Sequence, residues 1–95
     1  MDDYELTRHH LVTLPNVGPA IADMLMRLGI RELADLRGRD PLDLYHELNA
    51  IDGRRYDPCV EDTFAALVDH AGGAPPRPWW EYTPRRKARE RAAAA

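Results

Sequence analysis

Nine residues, Leu14-Pro15-Asn16-Val17-Gly18-Pro19-Ala20-Ile21-Ala22, constrain the fold of this chain more than any other stretch. Pro15 cannot continue an incoming helix, because it has no amide hydrogen and its ring clashes with the preceding turn. Pro19 suits the first position of a new helix, where the missing amide costs nothing. Between them stand Asn16 and Gly18. Glycine enters left-handed backbone freely, and asparagine tolerates it best among residues with side chains. Leu14 and Val17 are apolar and belong beneath the turn. Ala22 is small enough for close helix packing. The segment therefore predicts two helices folded back on each other through a tight loop.

The flanking sequence continues in short helices. Helix one is predicted over Asp3 to Thr13, with Leu6 and Leu11 directed inward. Helix two starts at Pro19 and repeats Ile21, Met24, Leu25 and Leu28 at helical spacing. Gly29 suits a left-handed cap, with Ile30 as its hydrophobic companion. A short third helix spans Arg31 to Leu36 and stops at Gly38. Helix four opens with Asp40-Pro41, an N-cap residue followed by proline, and buries Leu44, Tyr45 and Leu48. Helix five opens the same way with Asp57-Pro58. Its inner face is Val60, Phe64, Leu67 and Val68, and it ends at Gly72-Gly73. No segment alternates β-branched and polar residues as a strand would. The expected fold class is all-α: a compact five-helix domain over residues 1–73, a Pro/Trp-rich segment 74–84 packing on the domain, and a basic Ala/Arg tail 85–95. At 95 residues the chain holds one such domain, with a stability of about 5 kcal/mol.

Leu14 to Leu25 resembles the helix-hairpin-helix motif, whose hairpin usually reads Leu-Pro-Gly-Val-Gly-Pro. Asn16 stands in place of the first glycine. In DNA-binding members of that motif, hairpin backbone amides contact phosphates, which implies Asn16, Val17, Gly18, Pro19 and Ala20 as the contact here. The physics agrees: the first amides of a helix lack internal partners, and the helix dipole favours an anion there. A basic residue often follows the hairpin proline in the motif; here that position is Ala20. A second hairpin is suggested at Leu48-Asn49-Ala50-Ile51-Asp52-Gly53, where Leu48 aligns with Leu14 and Ile51 with Val17. The layout is then a degenerate double helix-hairpin-helix; an ordinary interhelical loop is the other reading. Arg54 and Arg55 follow it, either against phosphate or as solvated surface.

A wider set of residues carries a family resemblance. It comprises Leu14 to Leu25, Gly29-Ile30-Arg31 with Ala34-Asp35-Leu36, Arg39-Asp40-Pro41 with Leu44-Tyr45, Asp57-Pro58-Cys59-Val60, and Trp79-Trp80. In that order they resemble the pathogenicity-locus family of small bacterial helix-hairpin-helix proteins, sometimes labelled mitomycin resistance proteins. The resemblance spans roughly residues 5 to 82, with the basic tail after Pro84 outside it. Its first part is also similar to the C-terminal domain of the competence regulator TfoX. The resemblance implies a fold and a link to DNA, and no established reaction.

Charge argues the other way for most of the chain. Residues 1–70 carry a net −7 and residues 71–95 a net +4. An acidic body grips phosphate poorly. Positive charge concentrates in Arg85-Arg86-Lys87-Ala88-Arg89-Glu90-Arg91, so Arg85, Arg86, Lys87 and Arg89 are candidate nucleic-acid contacts; a solvated tail is the plainer reading. Trp79, Trp80 and Tyr82 would stack on single-stranded bases, with Arg77 and Arg85 on phosphate, or fold back to close the core. The second reading is the favoured one.

The chemistry of catalysis is not apparent. One cysteine excludes an internal disulfide. Cys59 and the four histidines lack metal-ligand spacing. No phosphate loop, nucleophile elbow or flanked carboxylate dyad occurs. No metal, cofactor or enzymatic reaction is expected. Cys59 near a helix N-terminus would be activated, but Asp57 and Glu61 oppose this, and a partly buried structural cysteine is favoured. No apolar run approaches 18 residues, and the acidic start differs from a secretory signal, so a cytoplasmic protein without membrane contact is expected. The expected function is sequence-independent association with DNA. A protein-interaction adaptor on the same fold is the alternative, supported by the acidic body and Ala20. A redox or resistance role for Cys59 ranks third.

Overall fold

The computed structural model describes residues 1–94 and contains helices and turns only. Helix α1 covers Asp3–Leu11, α2 Pro19–Arg27, α3 Pro41–Asp52, α4 Cys59–Ala71 and α5 Thr83–Ala94. Short 3-10 helices at Leu33–Leu36 and Trp79–Glu81 connect them. Two packed helix pairs, α1–α2 and α3–α4, are joined by the first 3-10 turn.

Local chemistry sets most helix ends. Asp2 caps α1 by accepting from the Glu5 amide at 2.8 Å, and Asp40 caps α3 by accepting from the Leu42 amide at 2.9 Å. At the end of α2, Gly29 is left-handed at φ 81°. The Ile30 amide reaches back to the Leu25 carbonyl at 2.9 Å, and Ile30 enters the core, the pattern of a Schellman cap. The predicted third helix contracts to a 3-10 turn over Leu33–Leu36. Asp35 accepts from the amides of Arg31 and Glu32, holding those two residues outside the turn as its cap.

Two expectations about α1 are corrected. The helix stops at Leu11, where the Thr13 hydroxyl donates to the His10 carbonyl at 2.6 Å. Leu6 is not inward: it is 53 % exposed, whereas Leu11 is fully buried. Five residues rotate a helix by roughly 140° beyond a full turn, so the two cannot share one face. The face toward α2 carries Arg8, whose guanidinium lies 2.8 Å from Asp23.

Helix α4 is the centre of the domain. Val60, Phe64 and Leu67 pack against Leu44, Tyr45 and Leu48 of α3 and against Leu36 and Leu25 in one core. The reverse side of α4 is also covered, since Glu61, Asp62 and Thr63 are buried as well. What covers it is the C-terminal segment. Tyr82 is buried, and α5 lies against α4 through charged pairs. Residues 85–94 are therefore part of a docked helix, although the helix has no apolar face.

The second hairpin is also corrected. Leu48 to Asp52 remain helical, and the turn begins only at Gly53, φ 62°. Asn49 stands where Pro15 breaks the first helix, so nothing stops α3 at Leu48. Ile51 is 49 % exposed, whereas its aligned partner Val17 is 7 % exposed. Asp52, aligned with Gly18, is an ion-pair residue bound by both ends of the Arg27 guanidinium at 2.9 Å.

Candidate nucleic-acid interface

In the first hairpin the Val17 amide donates to the Leu14 carbonyl at 3.2 Å, closing the turn. Val17 lies beneath it, and Gly18, Pro19 and Ala20 are exposed. The left-handed position is Asn16, φ 70°. Gly18 is extended at φ −93°, ψ −176°, a conformation open to any residue. A Cβ added at Gly18 would meet no atom within 4 Å. The sharp turn is therefore made by Asn16, and the contribution of Gly18 is an unobstructed approach to the backbone. Gly18 is also the N-cap of α2 and supplies no side-chain cap. The amides of Ala20 and Ile21 have no hydrogen bond within the described residues, so they remain free donors.

Asn16 has a second role that the sequence reading missed. Its side-chain amide donates to the Arg77 carbonyl at 2.8 Å, and its oxygen accepts from the Trp79 amide at 3.0 Å. One side chain thus ties the hairpin to the Pro/Trp segment across more than sixty residues. The aromatic residues divide between the two readings offered for them. Tyr82 closes the core, Trp79 is half-buried, and Trp80 stands 61 % exposed edge-on to Trp79, with ring centres 5.8 Å apart.

The basic candidates also divide. Arg86 lies 2.8 Å from Asp62, which is 1 % exposed. Asp62 also accepts from the Thr83 hydroxyl at 2.8 Å. Arg89 pairs with buried Glu61 through both terminal guanidinium nitrogens. These two arginines neutralise buried acids and are not free for phosphate. The pairing holds Arg86 protonated well above the ordinary arginine range, chiefly through its bond to Asp62. Arg85 lies over the Tyr82 ring and 3.3 Å from Asp69. Arg54 lies over the Tyr56 ring; Arg55 is exposed beside it. Lys87 is exposed on α5 and makes no ion pair among the described residues. The signal for the docking was the pair Glu61-Asp62 inside the apolar run of α4, matched by Arg86 and Arg89 one turn apart.

Cys59 does not match an activated thiol. Burial pushes its pKa up, and a hydrogen bond to Asp57 pushes it further. No three His, Cys, Asp or Glu side chains among the described residues are grouped as a metal site requires. No helix among them is long and apolar enough to cross a membrane.

Several ionisable groups link stability to pH. Arg8 holds Asp23, Arg27 holds Asp52 and the Cys59 amide holds Asp57 below the usual carboxylate range. Burial, reinforced by Asp69, raises the Tyr82 phenol. The carboxylate contribution is complete above about pH 5 and is lost as pH falls through the lowered folded-state values. The Tyr82 contribution is complete below about pH 9 and is lost as pH rises through the raised one. Thermal melts should show a plateau between those limits with a fall on each side. A melting temperature that rises on acidification below pH 4 would contradict this assignment.

The model of the Cdd1 family, described as pathogenicity locus, matches residues 5–88. The chain belongs to this family. The matched span passes Pro84, so the family pattern extends beyond the expected limit and takes in the first turns of α5, including Arg86. Mitomycin resistance protein McrB of Streptomyces lavendulae is 53 % identical over 77 residues, covering 81 % of this chain and 73 % of that one. No solved structure matches.

Proposed function

We propose that this family member is a non-enzymatic protein that contacts DNA through the hairpin backbone without reading its sequence. The observation that carries the reading is the uncapped start of α2. Gly18 leaves it open, and the free amides of Ala20 and Ile21 stand ready for one phosphate oxygen. We take the mitomycin resistance in the relative's name as a role exercised at bound nucleic acid. With an acidic body and no cation in the hairpin, the affinity is modest.

Gly18→Asp separates stability from binding. An aspartate N-cap accepts from the same amides and strengthens the helix start by a few tenths of a kcal/mol. The melting temperature should hold or rise slightly. Duplex affinity, read by fluorescence anisotropy at low salt, should fall at least about 5-fold as the carboxylate repels phosphate. Ala20→Lys should raise it. If the unaltered protein shows no duplex binding below about 100 µM at low salt, where even non-specific binders succeed, the DNA reading fails. The acidic body and Ala20 then favour a protein-interaction adaptor on the same fold.

A further inference from the structure

Helix α5 sorts its cations onto two faces. Arg86 and Arg89 turn toward α4 and are held by Asp62 and Glu61. Lys87 and Arg91, four residues apart, share another face, while Thr83 at the start of the helix lies between the two and donates to Asp62. The Lys87 face, Thr83 and Pro84 form one wall of an open groove of about 540 Å³, and Trp79 and Trp80 form the other. No carboxylate lines the groove. Lys87 and Arg91 make no ion pair among the described residues.

We propose that this groove binds single-stranded nucleic acid, with an unstacked base on Trp80 and the flanking phosphates on Lys87 and Arg91. Every base has a flat face that stacks on an exposed indole, and the backbone supplies the anion that two uncompensated cations require. In a duplex the bases are paired and stacked, so only a single strand or an opened site can offer both. Placement supports the same occupant. Trp80 is exposed while its neighbour Trp79 is half-buried and anchored to Asn16, so the hairpin holds the platform in place. The groove also lies within the +4 stretch of a chain that is otherwise acidic, so an anionic ligand is drawn to this face. The proposal rests on the nucleic-acid reading above, but not on the hairpin amides.

The test uses the full chain, a ten-nucleotide oligothymidine and a short duplex, each titrated at several salt concentrations. Oligothymidine should quench tryptophan emission. Two phosphate contacts give a log affinity against log salt slope of about −1.4. Trp80→Ala should weaken oligothymidine binding by about 5- to 100-fold and remove most of the quenching, and Trp80→Phe should restore part of both. Lys87→Gln with Arg91→Gln should flatten the salt slope. These side chains are exposed, so the variants should melt like the parent. Duplex binding that responds to Gly18→Asp, together with oligothymidine binding indifferent to Trp80→Ala, overturns the groove and leaves the hairpin reading intact. Oligothymidine binding lost in Trp80→Ala but indifferent to Gly18→Asp, with no duplex binding, supports the groove and overturns the hairpin. Binding to neither DNA overturns both.

Discussion

Replacing Arg86 with methionine is expected to lower the stability of the domain by about 3 kcal/mol. Methionine fills similar volume but leaves Asp62, which is 1 % exposed, with only the Thr83 hydroxyl as a partner. A buried carboxylate in that state must be desolvated without compensation. For a domain of this size such a loss lowers the melting temperature by at least about 12 °C. The loss has a ceiling, because α5 can leave α4 and let water reach Asp62. Undocking of α5, seen as early amide exchange over residues 83–94, is therefore the expected form of the damage. Adding Asp62→Leu removes the stranded charge and should recover most of the loss, since a matched apolar pair often equals a buried ion pair. A single variant melting within about 3 °C of the parent would show that Asp62 is not held by this pair.

Ending the chain at Gly73 removes a different set of interactions. The buried Tyr82 ring, the half-buried Trp79 and both hydrogen bonds of Asn16 are lost together. Apolar burial and the two hydrogen bonds suggest a cost of about 3–4 kcal/mol. Glu61 and Asp62 become hydrated in the shortened chain, so no stranded charge adds to this. The full-length Arg86→Met chain can reach the same undocked state, so removing twenty-two residues should cost at least as much as that single change. Urea melts of the two proteins test that ordering. A truncated chain as stable as the parent would mean that the segment lies outside the cooperative unit.

What could be read from the sequence was local. Asp40-Pro41 starts a helix because a side-chain cap and a proline-tolerant position lie side by side. Gly29 ends one because it accepts left-handed backbone and Ile30 follows it into the core. The turn at Asn16 is legible for the same reason. Leu6 misleads because periodicity is ambiguous in a nine-residue helix flanked by polar residues. The supposed second hairpin misleads because Leu48 and Ile51 copy the apolar pattern of Leu14 and Val17 without a residue that stops the helix. The basic stretch is the clearest case. Its charge is evident, but which charges are already neutralised depends on the acids that meet them in space.

The hairpin Leu14 to Ala22 shows the division well. Its residues determine that the chain turns there, that a helix restarts at Pro19, and that its first amides lack a side-chain cap. These follow from proline sterics, from the left-handed tolerance of asparagine and from the absence of a capping side chain at Gly18. Only the tertiary structure decides that Asn16 binds the backbone of residues 77 and 79. Only it decides that Arg86 and Arg89 are neutralised by α4 while Lys87 and Arg91 are not. Hydrogen bonds and ion pairs between distant parts of the chain depend on distance, burial and orientation, which chain packing alone supplies.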